Sequence, residues 1–195
     1  YGIDGFIINL NGKNSIENII GLSFLNELEK YNSENPENPF IYMVSFATQA
    51  QWTTEGKIPI SIEEDFDYLR KNWFCKYCLR RDGIPCLLIF AYDKVALEYR
   101  CIADKIFGKD GLDIIWSSPE NAEATNAAYA WVRPYKIENN DFWADTDEAS
   151  DNYLDEHFIN CNRNKALKYI IGGAWPGLND TLVRWAWSKI FSMRN

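Results

Sequence analysis

Six short apolar runs punctuate the chain, and helix-periodic sequence follows most of them. The runs cover residues 2–10, 40–46, 85–93, 112–118, 127–134 and 169–180. Each closes on polar, glycine or aromatic residues: Asn9 and Asn11, Ser45 and Gln49, Tyr92 and Asp93, Trp116 and Ser117, Trp131 and Arg133, Trp175 and Asp180. Apolar runs of roughly 4–8 residues bounded by turn signals read as buried strands. Between them, residues 15–31 predict a helix with Ile16, Ile20, Phe24 and Leu28 on one face and Ile19 beside them. A second helix opens at Ser61-Ile62-Glu63-Glu64, a capping box, and carries the stripe Ile62, Phe66, Leu69, Trp73. A third carries Val95, Tyr99, Ile102 and Ile106 and stops at Gly108. Residues 147–158 predict a fourth, and 182–190 begin a last one. Residues 32–39, with two prolines and no apolar side chain, predict a loop, as do residues 49–60. Asp82-Gly83 is a turn, and residues 119–126 are a short connector.

Strands alternating with helices imply a parallel sheet, open or closed. The turn after the first run, Asn9-Leu10-Asn11-Gly12, lacks the glycine-rich phosphate loop of a dinucleotide-binding sheet. Six βα units in 195 residues, against about 250 residues for eight, predict an incomplete (β/α)8 TIM-type barrel. It is read as one domain over residues 1–195, with one strand missing at each end or two from one end. The abrupt ends, Tyr1-Gly2-Ile3-Asp4 and Ser188 to Asn195, read as a fragment cut from a longer chain. In such a barrel the C-terminal ends of the strands share one mouth, where the chemistry sits. The residues that close the six runs are therefore the ones to examine.

Charge narrows the partners. The net charge is −8, and Lys and Arg are scattered, which disfavours nucleic acid and anionic membrane. No run approaches the ~20 apolar residues of a membrane span. Trp52, Trp116, Trp131, Trp143 and Trp175 fall at or just beyond predicted strand ends. Aromatic faces there suit flat amphipathic ligands such as sugars, though tryptophans also pack barrel loops. Five cysteines in a chain of this size do not suggest a disulfide scaffold. Cys75-x-x-Cys78 has no second pair and no nearby histidine, so buried structural thiols are expected. The single His157 falls inside a helix, away from any strand end and from any cysteine partner. That argues against a His-based triad and a catalytic zinc, and no metal or cofactor is expected.

The segments GIDGFIIN (residues 2–9), PISIEEDFDYL (59–69) and GIPCLLIFAYD (83–93) together resemble glycoside hydrolase families 99 and 71. AYAWVRP (128–134) and IIGGAWPGLND (170–180) are similar to a less characterised branch of that group. The resemblance implies a (β/α)8 enzyme acting on α-mannosides or α-glucans. It also implies an oligo- or polysaccharide ligand and an extracellular or periplasmic setting. Family 99 keeps its catalytic glutamates in an HIEPY motif at the strand end before the capping-box helix. Here that stretch reads Met43-Val44-Ser45-Phe46-Ala47-Thr48-Gln49, without a carboxylate. The family's catalytic pair therefore does not transfer.

Glycoside hydrolysis needs two carboxyl groups flanking the scissile bond. Asp93, closing the third run, matches the aspartate of the family's YxYD strand, although Asp before a helix is also a favoured N-cap. Asp180, in the Pro-Gly loop after the last run, is the second candidate, with helix capping as its competing role. Glu55 and the acidic stretch with Asp141, Asp145 and Asp147 are further carboxylate sources; the latter could also chelate Ca²⁺, though it lacks the EF-hand pattern, and a solvated acidic loop is the favoured account of it. Asn9, Ser45, Gln49, Tyr92 and Ser117 suit hydroxyl recognition; Trp52, Trp116, Trp131 and Trp175 suit sugar faces. Arg133 suits a sugar hydroxyl or locks a buried aspartate. Lys94 is the only lysine beside a strand end, which argues against Schiff-base chemistry. Two functions follow: a glycoside hydrolase using Asp93 and Asp180, and a glycan-binding barrel that has lost its glutamates.

Overall fold

The computed structural model describes residues 3–47, 62–91, 95–121, 124–130 and 147–172. Seven strands and four helices follow in the order β1 (Gly5–Leu10), α1 (Ile16–Glu34), β2 (Ile41–Ala47), α2 (Ile62–Asn72), β3 (Arg80–Arg81), β4 (Ile84–Phe90), α3 (Ala96–Phe107), β5 (Asp113–Trp116), β6 (Ala127–Tyr129), α4 (Asp147–Arg163) and β7 (Tyr169–Ile171). All six predicted strands are present, and β3 is an addition. It pairs antiparallel with β4 across a tight turn whose central residues, Asp82 and Gly83, both have positive φ. That is the type I′ geometry that an Asp-Gly dipeptide supplies.

The other strands form one parallel sheet in the order β1-β2-β4-β5-β6-β7. Each strand lies beside the next in the chain, and the order never reverses. With right-handed crossovers, such winding carries the connecting helices to one side. The two faces bear this out. Tyr42, Val44, Phe46, Leu87, Ile89, Ile114 and Trp116 pack against Phe66, Leu69, Trp73, Tyr99 and Ala103 of the helical side. Alternate residues Met43, Cys86, Leu88, Ile115, Ala127 and Tyr129 form a second core on the opposite, inner face. Burial on both faces explains why β2 and β4 read as nearly unbroken apolar runs. The sheet is open among the described residues, with β1 and β7 as its edges.

Two tyrosines bridge strands across the inner face. Tyr129 on β6 directs its hydroxyl to the Ile89 carbonyl of β4, 3.4 Å away. Tyr169 on β7 donates to Asp113 Oδ2 of β5 at 2.8 Å. Both contacts skip one strand, about 10 Å on a flat sheet. The long tyrosine side chains lean across the intervening strand to make them.

The helices agree with the sequence except in one face. α2 buries Ile62, Phe66 and Leu69, with Trp73 just beyond its end, as its stripe predicts. α3 ends at Gly108 with φ of 84°. α1 is different. Ile16, Ile19 and Ile20 are exposed, and the buried positions are Asn18, Gly21, Leu28 and Asn32. Asn18 accepts from Trp73 Nε1 at 2.9 Å and donates to the Lys13 carbonyl and the Tyr68 hydroxyl. Asn32 exchanges two hydrogen bonds with the Phe40 backbone. Saturated hydrogen bonding lets these amides bury at little cost, so the helix turns away from its isoleucine stripe.

Candidate functional site

The inner face carries polar groups at two levels. Toward the C-terminal ends of the strands lie Asn9, Ser45 and Tyr129. β1 and β2 are in register, with Asn9 beside Ser45, so both share the inner side. Asn9 is exposed, whereas Ser45 is 1% exposed and its Oγ has no hydrogen-bond partner among the described residues. Burial raises the Tyr129 phenol well above its ordinary range, and the nearby Ser45 hydroxyl pulls the other way without reaching hydrogen-bond geometry. Tyr129 therefore stays a neutral donor, and Ser45 is a buried hydroxyl with unused capacity.

At the N-terminal ends Asp113 is 3% exposed, at the start of β5. Its Oδ2 accepts from Tyr169 and lies 3.8 Å from Cys86 Sγ and 3.7 Å from Arg81 Nη1. Its Oδ1 is buried without a partner among the described residues. Arg81, on β3, covers the Tyr169 ring at 4.3 Å. Burial, and then the Asp113 charge, push the Cys86 thiol up to about 11, so it remains protonated and inert as a nucleophile. Burial and the hydrogen bond to Asp113 raise the Tyr169 phenol as well. This cluster ties β3, β4, β5 and β7 together at the end opposite the predicted mouth, where barrel folds keep structural rather than catalytic groups.

Of the sequence-predicted site residues, Asn9 and Ser45 lie together on the inner face. Trp116 does not join them. It is completely buried on the helical side, edge-on to Tyr99 of α3 with ring centroids 5.6 Å apart. Strand alternation turns it outward, so its ring packs the fold instead of facing a ligand. Asp93, Asp180, Gln49, Trp52, Tyr92, Trp131, Arg133 and Trp175 lie outside the described residues, as do Glu55, Asp141, Asp145, Lys94 and Ser61. The N-cap of α3 is Val95, which makes no side-chain capping hydrogen bond. Glu64, the expected reciprocal partner of Ser61, pairs with Lys13. The expected buried thiols are Cys78, Cys86 and Cys161, whereas Cys75 and Cys101 are exposed. His157 does have a cysteine partner, Cys161 one turn along α4.

Tyr129 and Asp113 were not singled out by the sequence. Tyr129 sits two residues before Trp131, and strand alternation from the run's end would have turned it inward. Asp113 is a lone acid at the head of an apolar strand, a placement that signals a paired buried carboxylate. Among the described residues no group of acids, histidines and cysteines forms a metal cage. No helix among them is long and apolar enough to cross a membrane. Compared with protein-family models, curated proteins and solved structures, the chain matches none.

Proposed function

We propose that the chain has a (β/α)8-type fold and hydrolyses an α-linked glycan of the mannan or glucan type. The observation that carries the reading is the strand order without reversal, with the helices on one face of the sheet. A doubly wound nucleotide-binding sheet reverses its order at the ligand crevice; sequential winding is the barrel's. The resemblance to glycoside hydrolase families 71 and 99 supplies the chemistry. Asp93 follows β4 by three residues and Asp180 follows β7 by nine, so both succeed C-terminal strand ends in sequence. One carboxyl protonates the leaving glycosidic oxygen; the other attacks the anomeric carbon or activates water. Asn9 and Ser45 offer hydroxyl recognition from the inner face, and Gln49, Trp52, Tyr92, Trp131, Arg133 and Trp175 follow the strand ends in sequence.

One observation favours a second reading. The inner positions of β2 are Met43, Ser45 and Ala47, so no carboxylate stands where family 99 keeps its acids. A barrel that binds glycan without cleaving it fits that substitution. Incubation with α-mannan and α-glucan separates the two. Release of reducing ends by the wild type, lost in Asp93→Asn with binding retained, supports the hydrolase. Equal binding by both proteins with no turnover in either establishes the binding reading.

A further inference from the structure

The Cys75-x-x-Cys78 pair takes no part in the proposed glycan site and lies in a tight turn between α2 and β3. The Cys78 N–H donates to the Cys75 carbonyl at 3.2 Å, with Lys76 and Tyr77 as the two turn residues. Such an i to i+3 turn holds its end Cα atoms within about 7 Å. A disulfide spans about 4.4–6.8 Å between Cα atoms, so the backbone already brings the pair to bridging distance. The far end of the turn is pinned to the sheet. Cys78 forms a parallel bridge with Tyr42 of β2. The Tyr42 N–H donates to the Tyr77 carbonyl at 3.0 Å, and the Leu79 N–H donates to the Tyr42 carbonyl at 2.7 Å.

Both thiols are free, and they are differently placed. Cys75 is exposed, and its thiol donates to the Asn72 carbonyl at the end of α2, 3.4 Å away. Cys78 is 4% exposed, and its thiol donates to the Leu79 carbonyl at 3.6 Å. A thiol is a weak donor, so turning either sulfur toward the other forfeits little. Burial pushes the Cys78 thiol up to about 12, against the opposite pull of Arg80. Cys75 is therefore the sulfur that an outside reagent meets. The other cysteines lie elsewhere. Cys86 belongs to the inner core, whereas Cys78 packs in the core on the helical side. Cys101 and Cys161 belong to α3 and α4.

We propose that Cys75 and Cys78 are a dithiol exchange site that reduces low-molecular-weight disulfides of the glutathione class and closes to an intramolecular disulfide. The Cys75 thiolate attacks one sulfur of the reagent. The reagent's S–S bond breaks, and the departing thiolate takes up the proton that Cys75 had lost. The Cys78 sulfur then attacks Cys75 Sγ, which breaks the mixed disulfide. The second reagent thiol leaves with the Cys78 proton. Two electrons pass from the protein to the reagent: one dithiol and one disulfide become one disulfide and two thiols. The turn makes the second step intramolecular, which offsets the poor ionisation of Cys78. The site is independent of the hydrolase reading.

The test treats the folded chain with glutathione disulfide, quenches with acid and alkylates the remaining thiols. Trypsin cuts after Lys71, Lys76 and Arg80, so the bridged product should appear as peptides 72–76 and 77–80 joined through sulfur. Dithiothreitol should separate them. Cys78→Ser should stop at a glutathione adduct on Cys75. Cys75→Ser, a change at an exposed position, should leave Cys78 at least about tenfold slower to react. Several results overturn the proposal: no joined peptides from the folded wild type, a bridge from Cys78 to Cys86 instead, no adduct in a folded Cys78→Ser, or undiminished reactivity of Cys78 in Cys75→Ser. Should Cys78→Ser fail to fold, the wild-type peptide map and Cys75→Ser decide alone.

Discussion

Replacing Tyr169 by Phe tests the bridge from β7 to β5 with the removal of one oxygen. In the structure that hydroxyl crosses β6 to reach Asp113 Oδ2 at 2.8 Å. The carboxylate has little else. Its Oδ1 has no partner among the described residues, the Cys86 thiol is a weak donor at 3.8 Å, and Arg81 stands at 3.7 Å, itself 41% exposed. A hydrogen bond to a buried charged group contributes about 1.5–3 kcal/mol, and leaving the acceptor unsatisfied moves the loss to the upper part of that range. Tyr169→Phe should therefore destabilise by about 2–3 kcal/mol. For a chain of this size that lowers Tm by about 4–12 °C. Urea titration at constant m-value measures it, and a cycle with Asp113→Asn isolates the pair, with at least about 1 kcal/mol of coupling expected. A loss below about 0.5 kcal/mol, with additive single variants, would mean that Tyr169 does not bridge to Asp113 across β6.

Two further substitutions probe packing and recognition. Gly21→Ala would drive a methyl group into the Trp73 ring and should cost about 1–3 kcal/mol by the same urea assay; an unchanged midpoint would show that α1 is not seated there. Ser45→Ala removes a buried hydroxyl that has no partner among the described residues, so stability should hold or rise slightly. If Ser45 recognises a glycan hydroxyl, calorimetric affinity for α-mannan oligosaccharide should fall about 2–10-fold; unchanged affinity removes Ser45 from the site.

The strands were legible because burial on both faces of a parallel sheet leaves apolar runs, and Ile84–Phe90 and Ile41–Ala47 are plain examples. α2 was legible to the side chain, since its apolar residues fall at helical spacing and all pack inward. α1 misled. Its isoleucines mark a helix correctly but not its buried face, which Asn18 and Asn32 set through hydrogen bonds to Trp73, Tyr68 and the Phe40 backbone. Periodicity weighs apolar side chains and is blind to amides that bury fully bonded. The site was legible in part. The end of a strand names candidates, but parity decides which way each points. Ser45 faces inward, whereas Trp116 faces α3. Asp113 escaped notice because its partners come from β3 and β7, 32 and 56 residues away, and only the strand order brings them together.

The proposed hydrolase reading depends most on the carboxyl groups of Asp93 and Asp180. Its most direct measurement is reducing-end release from α-mannan and α-glucan by the wild type beside the Asp93→Asn, Asp180→Asn double variant. Hydrolysis by the wild type that falls at least ~10³-fold in a double variant with unchanged folding is the predicted result. Undiminished hydrolysis by the double variant would contradict it.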